Sequence, residues 1–274
     1  MDRFFFVLAF LVYGVSFGGF FVHMITLKKP VKRAALWVLF CGFILHGLSI
    51  GARWYESGHP PVVNFHETLS FVAFFMTGLY LALEQKYRLK TIGTFVTPII
   101  LLIMAAAAVQ PQRVVPLPPA LQSIWLPIHA TICLISYAVF ALSFCISVMF
   151  LIQERQIKKK HLGGLFKRLP SLDALDVMNE RCLKVGFPLL TIGIVTGSIW
   201  AEEAWGRYWG WDPKETWSLI TWLWYAAILH QRLTVGWRGR RAAIMTIIGF
   251  LTLIFTFIGV NFLLSGEHSY VSRF

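Results

Sequence analysis

The chain has 274 residues, of which 57% are hydrophobic and only 14% charged, with a formal net charge of +12. Soluble domains average about 25% charged residues and 45–50% apolar ones, so one water-soluble core cannot hide this much apolar surface. Disordered chains, collagen-like repeats and small disulfide scaffolds are excluded by the same figures. The basic residues fall in short clusters between long apolar runs, so they point to membrane topology and not to nucleic acid.

Apolar stretches of about 17–25 residues cross a bilayer as helices. Eight occur, at about 4–27, 34–55, 67–83, 91–109, 126–152, 181–200, 217–233 and 242–264. They are too long and too continuously apolar for barrel strands. The expected fold is all-α: a polytopic integral membrane protein with about eight transmembrane helices, forming a single transmembrane domain over 1–274. The first stretch is too long for a signal peptide and no Ala-x-Ala site follows it, so it reads as a retained helix. Loops after the odd-numbered spans carry 19 of the 25 Lys and Arg residues. The positive-inside rule then puts both termini on the outer, periplasmic side and the basic loop at about 153–180 in the cytoplasm. That loop reads as a topology anchor.

Cys41, Cys133, Cys145 and Cys182 are the four cysteines, and no two form Cys-x-x-Cys. Neither a thioredoxin-type motif nor a covalent c-type haem site is present. All four read as small buried hydrophobes, so any thiol chemistry uses a partner's cysteines.

Seven of the eleven tryptophans lie between 200 and 224. An interfacial aromatic belt accounts for Trp200 and Trp217 at helix ends. It accounts poorly for Trp205-Gly-Arg-Tyr-Trp209-Gly-Trp211-Asp-Pro-Lys-Glu-Thr-Trp217, which reads as a loop at about 201–217 between two spans. Gly206 and Gly210 let the backbone approach something flat, and the indoles offer a stacking platform. Asp212 before Pro213 reads as a helix start with Pro in the first turn. A large planar ligand at the outer face is expected.

This segment resembles the tryptophan-rich "WWD" motif of haem-handling membrane proteins. Its continuation, Trp211-Asp-Pro-Lys-Glu-Thr-Trp217-Ser-Leu-Ile-Thr-Trp222, is similar to the CcsA (ResC) family of system II cytochrome c synthases. CcmC and CcmF relatives share the Trp-Gly-x-x-Trp-x-Trp-Asp core and diverge after it. The resemblance covers most of the chain from about 120 onward, and Asn64-Phe65-His66-Glu67-Thr68-Leu69 resembles a second family stretch.

The resemblance implies a bacterial inner-membrane protein with a periplasmic active face, a plastid thylakoid membrane being the alternative. It implies haem b carried outward and attached to the Cys-x-x-Cys-His segment of apocytochrome c. Such haem lyase activity implies a CcsB (ResB)-type membrane partner and, indirectly, thiol-reducing proteins. Trp205, Trp209, Trp211 and Asp212 are the expected catalytic set, with Gly206, Gly210 and Trp217 lining the bound haem. His129 and His268 reach the level of the loop, and the resemblance makes them the outer axial ligands of the iron. His230 lies roughly 20 Å deeper, 13 residues beyond Trp217 on one helix. By resemblance it ligates a second haem within the membrane, with its other ligand from the partner or from His23; a snorkelling histidine is the alternative. Arg207, Lys214, Arg53 and Arg113 are the candidate partners of haem propionates, pairing with Glu202, Glu203 or Glu215 being the alternative for Arg207 and Lys214. His46, His59 and His161 read as packing, solvated or topological residues. Two competing functions are a CcmC-like haem-delivery protein without ligation activity and a b-type electron-transfer subunit.

Overall fold

The computed structural model describes residues 1–87, 90–112, 117, 121–161 and 163–264. Its helices are α1 (Asp2–Thr26), α2 (Lys29–Ser57), α3 (Phe65–Tyr87), α4 (Gly93–Ala108), α5 (Trp125–Lys158), a short α6 (Gly164–Arg168), α7 (Leu172–Trp205), α8 (Pro213–His230), α9 (Arg240–Ile254) and α10 (Val260–Leu263). Five-residue π segments continue α8 (Gln231–Val235) and α9 (Phe255–Gly259). Each of the eight expected spans falls on helix. Among the described residues six helical runs are long and apolar enough to cross a membrane, the last being the continuous stretch Arg240–Leu263. The other two spans are the 16-residue α4 and the 18-residue α8, which the π segment extends. The chain is an all-α polytopic membrane protein.

Contacts divide it into two compact units. The first comprises α1 to α4 with the end of α5 and α6. Its helices bury narrow seams. α1 buries Phe6, Ala9, Tyr13, Ser16, Phe20 and His23, and α2 buries Ala35, Leu39, Gly42, His46, Ser49 and Arg53. Alternating steps of three and four give the 3.5-residue period of two helices coiled together. Apolar side chains off the seam stay exposed, among them Leu11, Val15, Trp37 and Leu48, which suits lipid contact. Gly42 is needed where the seam closes: a Cβ there would stand 2.6 Å from the Tyr13 ring.

The second unit comprises α5 up to Leu151, α7, α8, α9 and the segments around them. Here α5 and α7 pack antiparallel through three glycines of α7. A Cβ on Gly186 would stand 2.7 Å from Phe140, one on Gly193 2.6 Å from the Cys133 sulfur, and one on Gly197 2.6 Å from the His129 ring. Each step along α7 is matched by an equal step back along α5, so the glycines fix the register of the pair. Small residues of this kind replace hydrophobic driving force between membrane helices. Polar glue adds to it: Asn179 bonds Ser143 at 3.0 Å and Ser147 at 2.8 Å, and Thr246 of α9 at 3.3 Å.

At the far end of α8, the Arg232 guanidinium is almost fully buried. It donates to both carboxylate oxygens of Asp176 at 3.0 and 3.1 Å and to the Asp176 backbone carbonyl at 3.1 Å. Asp176 also accepts from the Gly239 amide at 2.9 Å. One carboxylate thus holds the π turn after α8 and the start of α9. Of the cysteines, Cys133, Cys145 and Cys182 are buried as expected, whereas Cys41 is exposed on α2.

Candidate functional site

The tryptophan-rich motif is built around two helix ends. α7 runs on to Trp205, five residues into the loop expected at about 201–217, and stops because Gly206 takes a left-handed φ of +70°. Its amide closes on the Glu202 carbonyl at 2.7 Å. α8 starts at Pro213 behind Asp212, whose carboxylate accepts from the Glu215 amide at 2.8 Å. In return the Glu215 carboxylate accepts from the Asp212 amide at 3.2 Å and the Gly210 amide at 2.7 Å. This reciprocal capping box pins both ends of the short loop. Trp211 sits between them with a left-handed φ of +57°, its side chain 68% exposed. Replacing Asp212 by alanine is expected to cost about 0.5–2 kcal/mol of stability, the usual value of a lost N-cap. A thermal melt of the purified protein measures it.

The tryptophans do not form one platform. Trp200 and Trp205 meet edge to face at 4.9 Å and pack into a cluster with Leu121, Leu126 and Trp125. Trp217 packs on Phe255 at 4.4 Å. The Trp222 indole donates to the Thr191 hydroxyl, and that of Trp224 to the Met245 carbonyl. Trp209 and Trp211 stand at right angles, centroids 5.7 Å apart. Of the motif's indoles, Trp209 lines a cleft that is partly open to solvent.

His129, Lys214, Glu215 and Tyr208 line the same cleft, with Cys133 and Tyr137 below on α5. The His129 Nδ1 lies 2.7 Å from the Gly193 carbonyl. A carbonyl only accepts, so Nδ1 carries the proton and the ring lone pair sits on Nε2. Metal-binding histidines are commonly held in this way. The bare face of Gly197 admits the ring, which stacks on Trp200 at 16° between planes. Lys214 reaches Asn261 at 3.4 Å. The Trp209 indole N–H is buried with no hydrogen-bond partner among the described residues. Such an orphaned donor is costly unless a bound group supplies an acceptor. A histidine tautomer ready for a metal, a cation and a tryptophan with an orphaned N–H line one cleft, and this donor set suits the iron and carboxylate arms of a porphyrin.

Other expected site residues lie elsewhere. Arg207 covers Gly210, where a Cβ would stand 2.5 Å from its guanidinium. Arg53 is buried with Glu67 at 3.0 Å and Asp2 at 3.2 Å, so it is engaged inside the first unit and not offered to a ligand. His230 is exposed at the end of α8 away from the motif, and its carbonyl accepts from Thr234. His23 is buried with its Nδ1 3.1 Å from the Lys28 carbonyl. His268 and Arg113 lie outside the described residues. Tyr208 and Tyr137 went unassigned in the sequence, and Cys133 was read as a small buried hydrophobe. The two on α5 follow His129 by four and eight residues, and that spacing was the available signal.

A family model described as "Cytochrome C assembly protein" matches residues 62–268. The chain is 38% identical to the "Cytochrome c biogenesis protein CcsA" of Porphyra purpurea, over 93% of this chain and 95% of that one. It is 38% identical to that of Synechococcus elongatus over 81% and 82%. With that of Chlamydomonas reinhardtii it shares 44% identity over 80% of this chain and 63% of the other. Among solved structures, "Cytochrome c Heme Lyase CcmF" superposes with a TM-score of 0.67 at 16% identity, covering 94% of this chain. This chain spans 46% of that protein, and the likeness is one of fold.

Proposed function

The chain belongs to the CcsA family of cytochrome c assembly proteins, and on that premise we propose that it is the synthase subunit that exports haem and presents it for attachment. Both termini then face the periplasm of a bacterial inner membrane, and the cleft opens on that side. A CcsB-type membrane protein completes the enzyme. Apocytochrome c is the acceptor, kept reduced by separate thiol-reducing proteins.

Haem contributes the two vinyl groups, across each of which a cysteine S–H adds to form one C–S and one C–H bond. The chain's own part is positioning. His129 offers Nε2 to the iron from one side, and His268 is assigned the other. Trp209 and Trp211 border the porphyrin, with Gly206 and Gly210 keeping the backbone close to it. Lys214 and the Trp209 N–H hold a propionate. Trp205 and Trp217 act from behind, through Trp200 and Phe255, and Asp212 holds the loop by its cap. Exposed His230 takes up a second haem at the boundary with the partner. That Trp209, whose N–H is orphaned, lines the same cleft as His129 is the observation that carries this reading.

The test supplies haem and apocytochrome c to the chain co-purified with a CcsB-type partner, and follows haem that stays on cytochrome after denaturation. Wild type is expected to form it and Trp209→Ala to lose most of it. Haem that binds with the partner present and never becomes covalent would leave a delivery protein instead. Partner-dependent haem that survives in His230→Ala would remove the second site.

A further inference from the structure

The carbonyl that holds His129 from behind serves more than one donor. The Gly193 oxygen accepts the His129 Nδ1–H at 2.7 Å. It is within reach because Gly197, one turn on, has no side chain: a Cβ there would stand 2.7 Å from Nδ1 itself. As an α-helical carbonyl it also faces the amide of Gly197. The Thr196 hydroxyl lies 3.0 Å from the same oxygen.

That hydroxyl has one proton to give and a second acceptor, the Ile192 carbonyl at 2.8 Å. Thr196 is buried, so bulk water does not compete for the proton. Back-bonding of a hydroxyl onto its own helix is ordinary, as Thr191 does on Phe187 and Ser198 on Ile194. At Thr196 one of the two acceptors is the oxygen on which an imidazole depends.

Donors that share an oxygen draw on the same lone pairs, so each bond is weaker than it would be alone. A firmer bond from Nδ1–H makes the ring more basic and its Nε2 a stronger donor to a metal. Axial donation and outer-shell hydrogen bonds in turn set the potential of a haem iron. Other neighbours of Nδ1 do less. The Cys133 sulfur, a weak acceptor, lies 3.7 Å away, and Trp200 meets the ring by its face.

We propose that Thr196 is a positioning residue of the haem site, whose hydroxyl sets how firmly the Gly193 carbonyl grips His129 and so how strongly Nε2 donates to iron. With the proton on Gly193 the grip slackens and the reduced iron is favoured. With the proton on Ile192 it tightens and the oxidised iron is favoured. The inference rests on the reading of His129 as an axial ligand.

The test uses the full chain purified with a CcsB-type partner, first free of haem with isotope-labelled histidine and then loaded with haem b. Thr196→Val removes the hydroxyl and keeps its bulk and branching, and Thr196→Ala removes it with less bulk. In the haem-free protein both should move the His129 Nδ1–H proton resonance downfield, that resonance being identified by its loss in His129→Ala. In the loaded protein both should lower the ratio of reduced to oxidised haem at a fixed poise about three- to tenfold, the scale of one hydrogen bond. Thr196→Ser keeps the donor and should match wild type in both readings. Helicity and elution volume establish that each variant is folded. A resonance or a ratio that stays put in folded Thr196→Val and Thr196→Ala would overturn the proposal, as would Thr196→Ser behaving like them. Haem that remains in full in His129→Ala would overturn the ligand reading beneath it, which the haem-free resonance tests separately from Thr196.

Discussion

His129→Ala is expected to strip the protein of most of its visible haem absorption while leaving it folded. The half-buried ring is the one imidazole in the described cleft, and the Gly193 carbonyl holds it in the tautomer that presents Nε2. Loss of an outer-shell partner at a metal site costs roughly 10–100-fold in affinity, and loss of the ligand itself exceeds that. Alanine also removes ring contact with Trp200 without placing any new group against Gly197. Absorption spectra of wild type and variant, purified alike, measure the effect. Imidazole added to the variant should restore part of the band by occupying the vacated place. A full wild-type spectrum in the variant would show that haem is held elsewhere.

The second large effect is one of stability. Arg232→Ala leaves Asp176 and Glu180 without the guanidinium that lies between them. Removing one partner from a buried ion pair typically costs about 3–5 kcal/mol. Asp176 keeps some solvent access, so a value near 3 kcal/mol is expected. The damage should extend to the start of α9, because Asp176 also holds the Gly239 amide. A thermal melt of the single variants and of Asp176→Ala/Arg232→Ala measures it. The double variant should lose less than the two single losses added together, as residues in one network do.

Features set by local chemistry were legible in the sequence. Asp212 before Pro213 marked the start of α8, and Glu215 at the third helical position supplied the other half of the capping box. Gly206 ends α7, and the residues from 201 to Trp205 before it, expected as loop, are helix, because nothing among them supplies the stop that the glycine does. The spans were legible because apolar length alone decides them. The facing of side chains was not. Arg53 looked like a cation for an anionic ligand, and only the approach of Asp2 and Glu67 shows where its charge is used. His46 and His66 sit on seams whose partners come from other helices, and no run of sequence names those partners.

The glycine ladder of α7 has an evolutionary consequence. His129 takes its height from the mutual lock of two long helices, while the indole beside it takes its position from a loop of a few residues. The two halves of the cleft are therefore anchored separately. Substitutions in the loop can reshape the grip on the rim of a flat guest without shifting the nitrogen offered to its centre. Such a division lets the loop change while the imidazole keeps its place.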